Sequence, residues 1–77
     1  MPFDPAQSAA EAAFPQTGDL HVAILAAFRD AFIRGYTAPD GNVDELAESE
    51  FPHGEYTQTM TVLAFREAFA KGYAAGR

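Results

Sequence analysis

Apolar residues recur at every fourth position along two stretches of this chain. Leu20, Ile24, Phe28, Phe32 and Tyr36 form one row, and Ala23, Ala27, Ala31 and Gly35 form another one position earlier. Spacing by four keeps side chains on one face of an α-helix, so the first row is a ridge and the second a shallow groove beside it. Both rows return 37 residues later, as Thr57, Thr61, Phe65, Phe69 and Tyr73 beside Met60, Ala64, Ala68 and Gly72. The duplication also takes in Arg29-Asp30 and Arg66-Glu67, Phe14-Pro15 and Phe51-Pro52, and Ala10-Glu11 and Ala47-Glu48. Self-similarity at such a period marks one supersecondary unit stated twice.

Rows four apart are the ones that interdigitate when helices pack. The expected fold is all-α: two tandem helical hairpins, each a short helix, a turn and a long helix, forming a pseudo-twofold four-helix domain. That single domain covers residues 1–77, with repeats at about 4–38 and 41–75. The aromatic ridge of each long helix is expected to lie in the small-residue groove of the other. Replacing Gly35 or Gly72 by Leu would fill a groove, and overpacking of this kind costs roughly 1–3 kcal/mol.

The boundaries follow from capping chemistry. Asp4 can cap the first short helix, with Pro5 at its first position and Gln7 completing a capping box. Ala6, Ala9, Ala10, Ala13 and Phe14 give that helix a thin apolar face. Thr17 or Asp19 caps the first long helix, which runs to about Tyr36. Asn42-Val43-Asp44-Glu45 is a second capping box. It opens a helix whose apolar side is Val43, Leu46, Ala47 and Phe51, with Asp44, Glu45 and Glu48 facing away. Glu50 stands where the first repeat has Ala13, which puts that edge in water. The second long helix runs from about Glu55 to Ala75. Its first turns carry Thr57, Thr59 and Thr61 where the first repeat has Leu20, Val22 and Ile24, so that end is less buried or meets something polar. Asp30 with Arg34, and Glu67 with Lys71, are i,i+4 pairs that mark the wet side.

A weaker stripe, Val22, Leu25, Arg29 and Ile33, points away from the main ridge. Part of it covers the short helices; what remains in solvent is a contact surface. With Val62 and Leu63 it could join two copies in a homodimer or a structural oligomer. Arg29 and its repeat Arg66 are expected to lay their stems on apolar neighbours with their heads in water.

Composition narrows the function. Seventy-seven residues leave little core, and the absence of cysteine excludes disulfides and thiolate metal sites. The uncharged apolar run near Val22 to Phe28 is far short of the ~20 residues of a membrane helix. Met1-Pro2-Phe3-Asp4 lacks a basic segment followed by an apolar one, so no signal peptide is read there and a cytoplasmic location is expected. The net charge is −6, and all of it resides in residues 40–55, where Asp40, Asp44, Glu45, Glu48, Glu50 and Glu55 stand without a Lys or Arg. This sign disfavours direct binding to nucleic acid phosphates.

Catalytic chemistry finds no constellation. Ser8 and Ser49 lie in short helices without a glycine elbow, and no phosphate-binding glycine loop occurs. His21 and His53 share no ligand spacing, so capping or exposed roles are expected, and no metal or cofactor is assigned.

Two short resemblances complete the motifs. Phe28-Arg29-Asp30-Ala31-Phe32 followed by Asp40-Gly41-Asn42-Val43 resembles the entering helix and loop of an EF-hand over about sixteen residues. Tyr36 and Ala38 occupy its first and third ligand positions and Ala47 the place of its bidentate Glu, so the resemblance implies a degenerate relic. Gly72-Tyr73-Ala74-Ala75-Gly76 is similar to the Gly-Tyr-x-Ala-Gly run of ribosome modulation factor. That family is basic and this chain is acidic, so RNA binding does not carry over.

The function expected from these features is a small acidic non-catalytic interaction module. It would act as an inhibitor or adaptor of the kind encoded by phages, or as a nucleic-acid mimic. Its partner would be a larger protein with a basic surface, docked through residues 40–55. Asp44, Glu45, Glu48 and Glu50 are the contact candidates: Asp44 and Glu48, four apart, repel slightly, which points beyond local stability, and the alternative is a solubilising helix whose acids suit its N-terminal end.

Overall fold

The computed structural model describes residues 4–18, 21–54 and 59–77. They form four helices: α1 Pro5–Ala13, α2 Val22–Tyr36, α3 Val43–Glu50 and α4 Thr59–Ala75. These are two short–long pairs in a pseudo-symmetric four-helix arrangement.

The short helices begin and end alike. Asp4 caps α1, its Oδ1 accepting from the N–H groups of Ala6 and Gln7 at 3.0 and 3.3 Å. Asn42 caps α3, its Oδ1 accepting from Glu45 N–H at 3.1 Å. Phe14 and Phe51 close the two helices, each donating its N–H to an alanine carbonyl one turn back at 2.9 Å. The first long helix starts differently from expectation. Its cap is His21, whose ring Nδ1 accepts from Ala23 N–H at 3.1 Å. Thr17 is exposed and lies upstream of this cap; Asp19 lies outside the described residues, as do Glu55 and Thr57. An imidazole nitrogen satisfies the orphan N–H as a carboxylate would.

α2 and α4 make the largest interface, and they run in the same direction. Phe28 meets Phe65 with ring centroids 5.1 Å apart, and further along Gly35 meets Phe69 and Gly72 meets Phe32. The glycines set the crossing. A Cβ on Gly35 would collide with the carbonyl oxygen of Phe69, and a Cβ on Gly72 with that of Phe32. Gly76 approaches the carbonyl of Tyr36 in the same way. At Gly35 and Gly72 the groove is therefore filled by the twin's backbone rather than by an aromatic ring, and even alanine is too large there. The rings of Phe32 and Phe69 turn toward their own repeat. Phe32 packs edge-on against Phe14 at 6.2 Å, and Phe69 against Phe51 at 6.3 Å. Both are buried, with Ala31 and Ala68 beside them.

The rows are used over only part of their length. Phe28 and Phe65 are half-buried, but Ile24 is 50% and Met60 77% exposed. Ile24 corrects the expectation of a continuous buried ridge on the first long helix, while the exposure of Met60 and Thr61 accords with the less buried start expected of the second; Leu20 and Thr57, the outermost members, lie outside the described residues. The reason is geometric. Helices packed through their i±4 rows cross at about 50°, so points some 16 Å from the crossing lie about 14 Å apart. Side chains there no longer reach across.

Candidate functional site

Each repeat holds a cleft between its short and its long helix. In the first, Gln7, Leu25, Arg29, Asp30 and Ile33 line it; in the second, Asp44, Ala47, Glu48, Arg66 and Glu67 do. Gln7 and Asp44 are equivalent by the repeat, as are Arg29 and Arg66. The two arginines build the joint. Arg29 Nε donates to the carbonyl of Phe14 at 2.9 Å, and Arg66 Nε to that of Phe51 at 3.0 Å. Each guanidinium thus satisfies an orphan carbonyl at a helix C-terminus, where positive charge is favoured. Their heads are not in open water as expected. The available signal was that arginine occupies the same place in both repeats.

The stripe Val22, Leu25, Arg29 and Ile33 separates accordingly. Leu25 is 1% exposed and covered, Arg29 is tied to Phe14, and Ile33 is half-buried. Val22 remains 66% exposed. Most of the stripe belongs to the joint with α1. Its second-repeat members divide too, Val62 being buried and Leu63 50% exposed.

The candidate acids Asp44, Glu45, Glu48 and Glu50 are all exposed on α3. Glu50 differs from the other three. It accepts from Arg34 at 2.8 Å while Asp30 pairs with the same guanidinium at 2.9 Å. Hydrogen bonding to Glu50 first, and the charge of Asp30 next, raise the Arg34 pKa above its ordinary value. The remaining bases are engaged as well. Lys71 lies 3.6 Å from Glu67, and Arg77 pairs with Asp40 at 3.1 Å. Arg34 and Lys71 also sit about 6 Å from the rings of Phe51 and Phe14, within cation–π range. With Arg29 and Arg66 on carbonyls, none of the five bases pairs with Asp44, Glu45 or Glu48.

The loop between the repeats is held from the C-terminal end of the chain. The Tyr73 hydroxyl donates to the Gly41 carbonyl at 2.7 Å and accepts its N–H at 2.9 Å. Arg77 donates to Ala38 O at 2.6 Å and to Tyr73 O at 3.1 Å, with its guanidinium 3.6 Å from the Tyr73 ring. Asp40 and Gly41, two of the EF-hand-like loop positions, are therefore both bonded within the chain. Among the described residues no group of three or more His, Cys, Asp or Glu is placed to hold a metal ion. His53 Nε2 lies 3.0 Å from Thr59 Oγ1. Among the described residues no helix is long and apolar enough to cross a membrane. Compared with family models, curated proteins and solved structures, the chain finds no match in any of the three.

Proposed function

We propose that this chain is a small non-catalytic binding module that docks through α3 on the basic surface of a larger protein. The observation that carries this is the contrast between equivalent helices. α1 has Gln7, Ser8 and Ala13 where α3 has Asp44, Glu45 and Glu50, yet both cap, end and pack alike. The fold does not require Asp44, Glu45 or Glu50; Glu48 repeats Glu11 of the first unit. Glu50 is accounted for by Arg34, which leaves Asp44, Glu45 and Glu48 as three exposed carboxylates with no base of their own. Carboxylates in this state accept charge-assisted hydrogen bonds from Lys and Arg, and complementary charge speeds encounter while discouraging wrong partners. An inhibitor or adaptor that occupies a cationic groove has this character. That step is an analogy of charge rather than of fold.

The test is parallel affinity capture from the source cell with the native chain and with Asp44→Lys/Glu45→Lys/Glu48→Lys, eluted by rising salt. A protein retained by the native chain, released by salt and lost with the triple variant supports docking through α3. The affinity of that pair should fall roughly ten- to a hundredfold on charge reversal. Identical captured sets and identical salt elution would remove the reading.

A further inference from the structure

Three of the helices show their N-terminal caps, and α2 alone begins on an imidazole. Asp4 and Asn42 hold α1 and α3 through side-chain oxygens, which can accept in any protonation state. His21 holds α2 through ring Nδ1, and its partner, the Ala23 N–H, is a donor only. This bond therefore exists only while Nδ1 carries no proton. His53 differs: its contact is the Thr59 hydroxyl, which donates to a neutral ring and accepts from a charged one. We propose that His21 is a pH-sensitive latch on the start of α2, closed by the neutral ring and released when the ring is protonated.

Two effects act in the same direction. Protonation removes the acceptor, and it sets a positive charge at a helix N-terminus, where the backbone dipoles disfavour it. Among the described residues the surroundings offer no compensating charge. No acid stands in the first turn of α2. On the α1 side, Val22 borders a cleft whose charged residues, Arg29 and Asp30, are engaged by the Phe14 carbonyl and by Arg34; Glu11, the acid within α1, does not line it. On the α4 side, Ala23 and Ile24 face Met60 and Thr61 across an open apolar cleft of about 440 Å³ that no charged residue lines. Among the described residues no carboxylate pairs with His21; Asp19 lies outside them. Packing adds little at this turn, since Val22 is 66% and Ile24 50% exposed and Leu25 is the first buried residue of α2. The cap is thus a large share of what holds the turn, and the turn is one wall of the apolar cleft. Stabilisation belongs to the neutral ring. It is complete at the alkaline end of the imidazole range and is lost as the pH falls from about 8 to about 5.

This inference is independent of docking through α3. The experiment is equilibrium unfolding of the full chain in denaturant at about pH 8 and about pH 5, for the native chain, His21→Asn, His21→Ala and His53→Asn. Asparagine keeps a cap that does not titrate, and alanine has none. On acidification the unfolding constant of the native chain should rise roughly three- to tenfold more than that of His21→Asn. His21→Ala should already show a loss of that size at the alkaline pH, and His53→Asn should keep the native difference. Equal responses to pH in the native chain and His21→Asn, or a His21→Ala variant as stable as the native chain at the alkaline pH, would overturn the proposal. Amide exchange at Leu25, whose N–H bonds to the His21 carbonyl at 3.0 Å, gives a local readout that requires no unfolding. Its rate in the native chain relative to His21→Asn should be near unity at the alkaline pH and rise at least roughly threefold at the acid one; a ratio that does not change with pH would again overturn it.

Discussion

In the first repeat Phe14 stacks on Phe28 at 5.8 Å with the rings 17° from parallel; in the second Phe51 stacks on Phe65 at 5.6 Å and 18°. The arginine-to-carbonyl bonds agree to 0.1 Å, and the glycine approaches are reciprocal. The charges do not follow the symmetry. α1 carries one acid, Glu11, within its span, while α3 carries Asp44, Glu45, Glu48 and Glu50. Packing in this molecule is therefore separable from surface charge. The first repeat shows what the scaffold alone needs, and what the second adds to it calls for another explanation. Of these additions Glu50 finds one inside the chain, in Arg34, while Asp44 and Glu45 do not; Glu48 is no addition, because Glu11 holds its place in the first repeat.

The most severe way to break this comparison is at the crossing. Gly35→Ala and Gly72→Ala should each lose about 3 kcal/mol or more, since the added methyl meets backbone that cannot move aside. This exceeds the lower part of the range expected from composition alone, because the neighbour is a carbonyl rather than a side chain. Equal losses in chemical denaturation sharpen the symmetry; tolerance at one glycine and collapse at the other breaks it. Next come Arg29→Met and Arg66→Met, which keep a long apolar stem but leave a helix-end carbonyl without its donor. Each should cost about 1–2 kcal/mol, and a distinctly larger loss at Arg66 would show that the acidic repeat leans on its arginine for charge as well as for the bond. The smallest effect tests an asymmetry. Tyr73→Phe removes two hydrogen bonds to Gly41 and should cost about 1 kcal/mol. Tyr36→Phe should stay within about 0.5 kcal/mol, because among the described residues its hydroxyl makes no comparable bond. Equal losses in denaturant melts would mean that the loop between the repeats is not held as described.

Much of the fold was legible as local pattern. The four-residue rows specified the long helices, Asp4 and Asn42 specified where the short ones start, and the duplicated words specified that two units share one design. Periodicity and capping are properties of a few adjacent residues, so a sequence displays them directly. A capping role for His21 was among those expected, but the start of the first long helix was given to Thr17 or Asp19, because histidine is a less usual acceptor. The three unpaired acids were legible as an acidic run, but their separation from Glu50 was not, because Arg34 is distant in sequence and adjacent only in space.

By itself, then, the sequence determined which residues could face inward. Tertiary structure decided which of them do. On the first long helix the row is apolar along its length, yet among the described residues only its later part is covered, because two rods that cross touch near one point and part on either side. That point is set where the small-residue rows reduce to glycine, at Gly35 and Gly72, where no side chain holds the backbones apart. The packing of each short helix on its own long helix brings Arg29 and Arg66 under the ends of the short helices, while the crossing leaves the apolar cleft at the other end open. Contacts of that kind depend on the relative placement of whole helices, and no short stretch of chain encodes it.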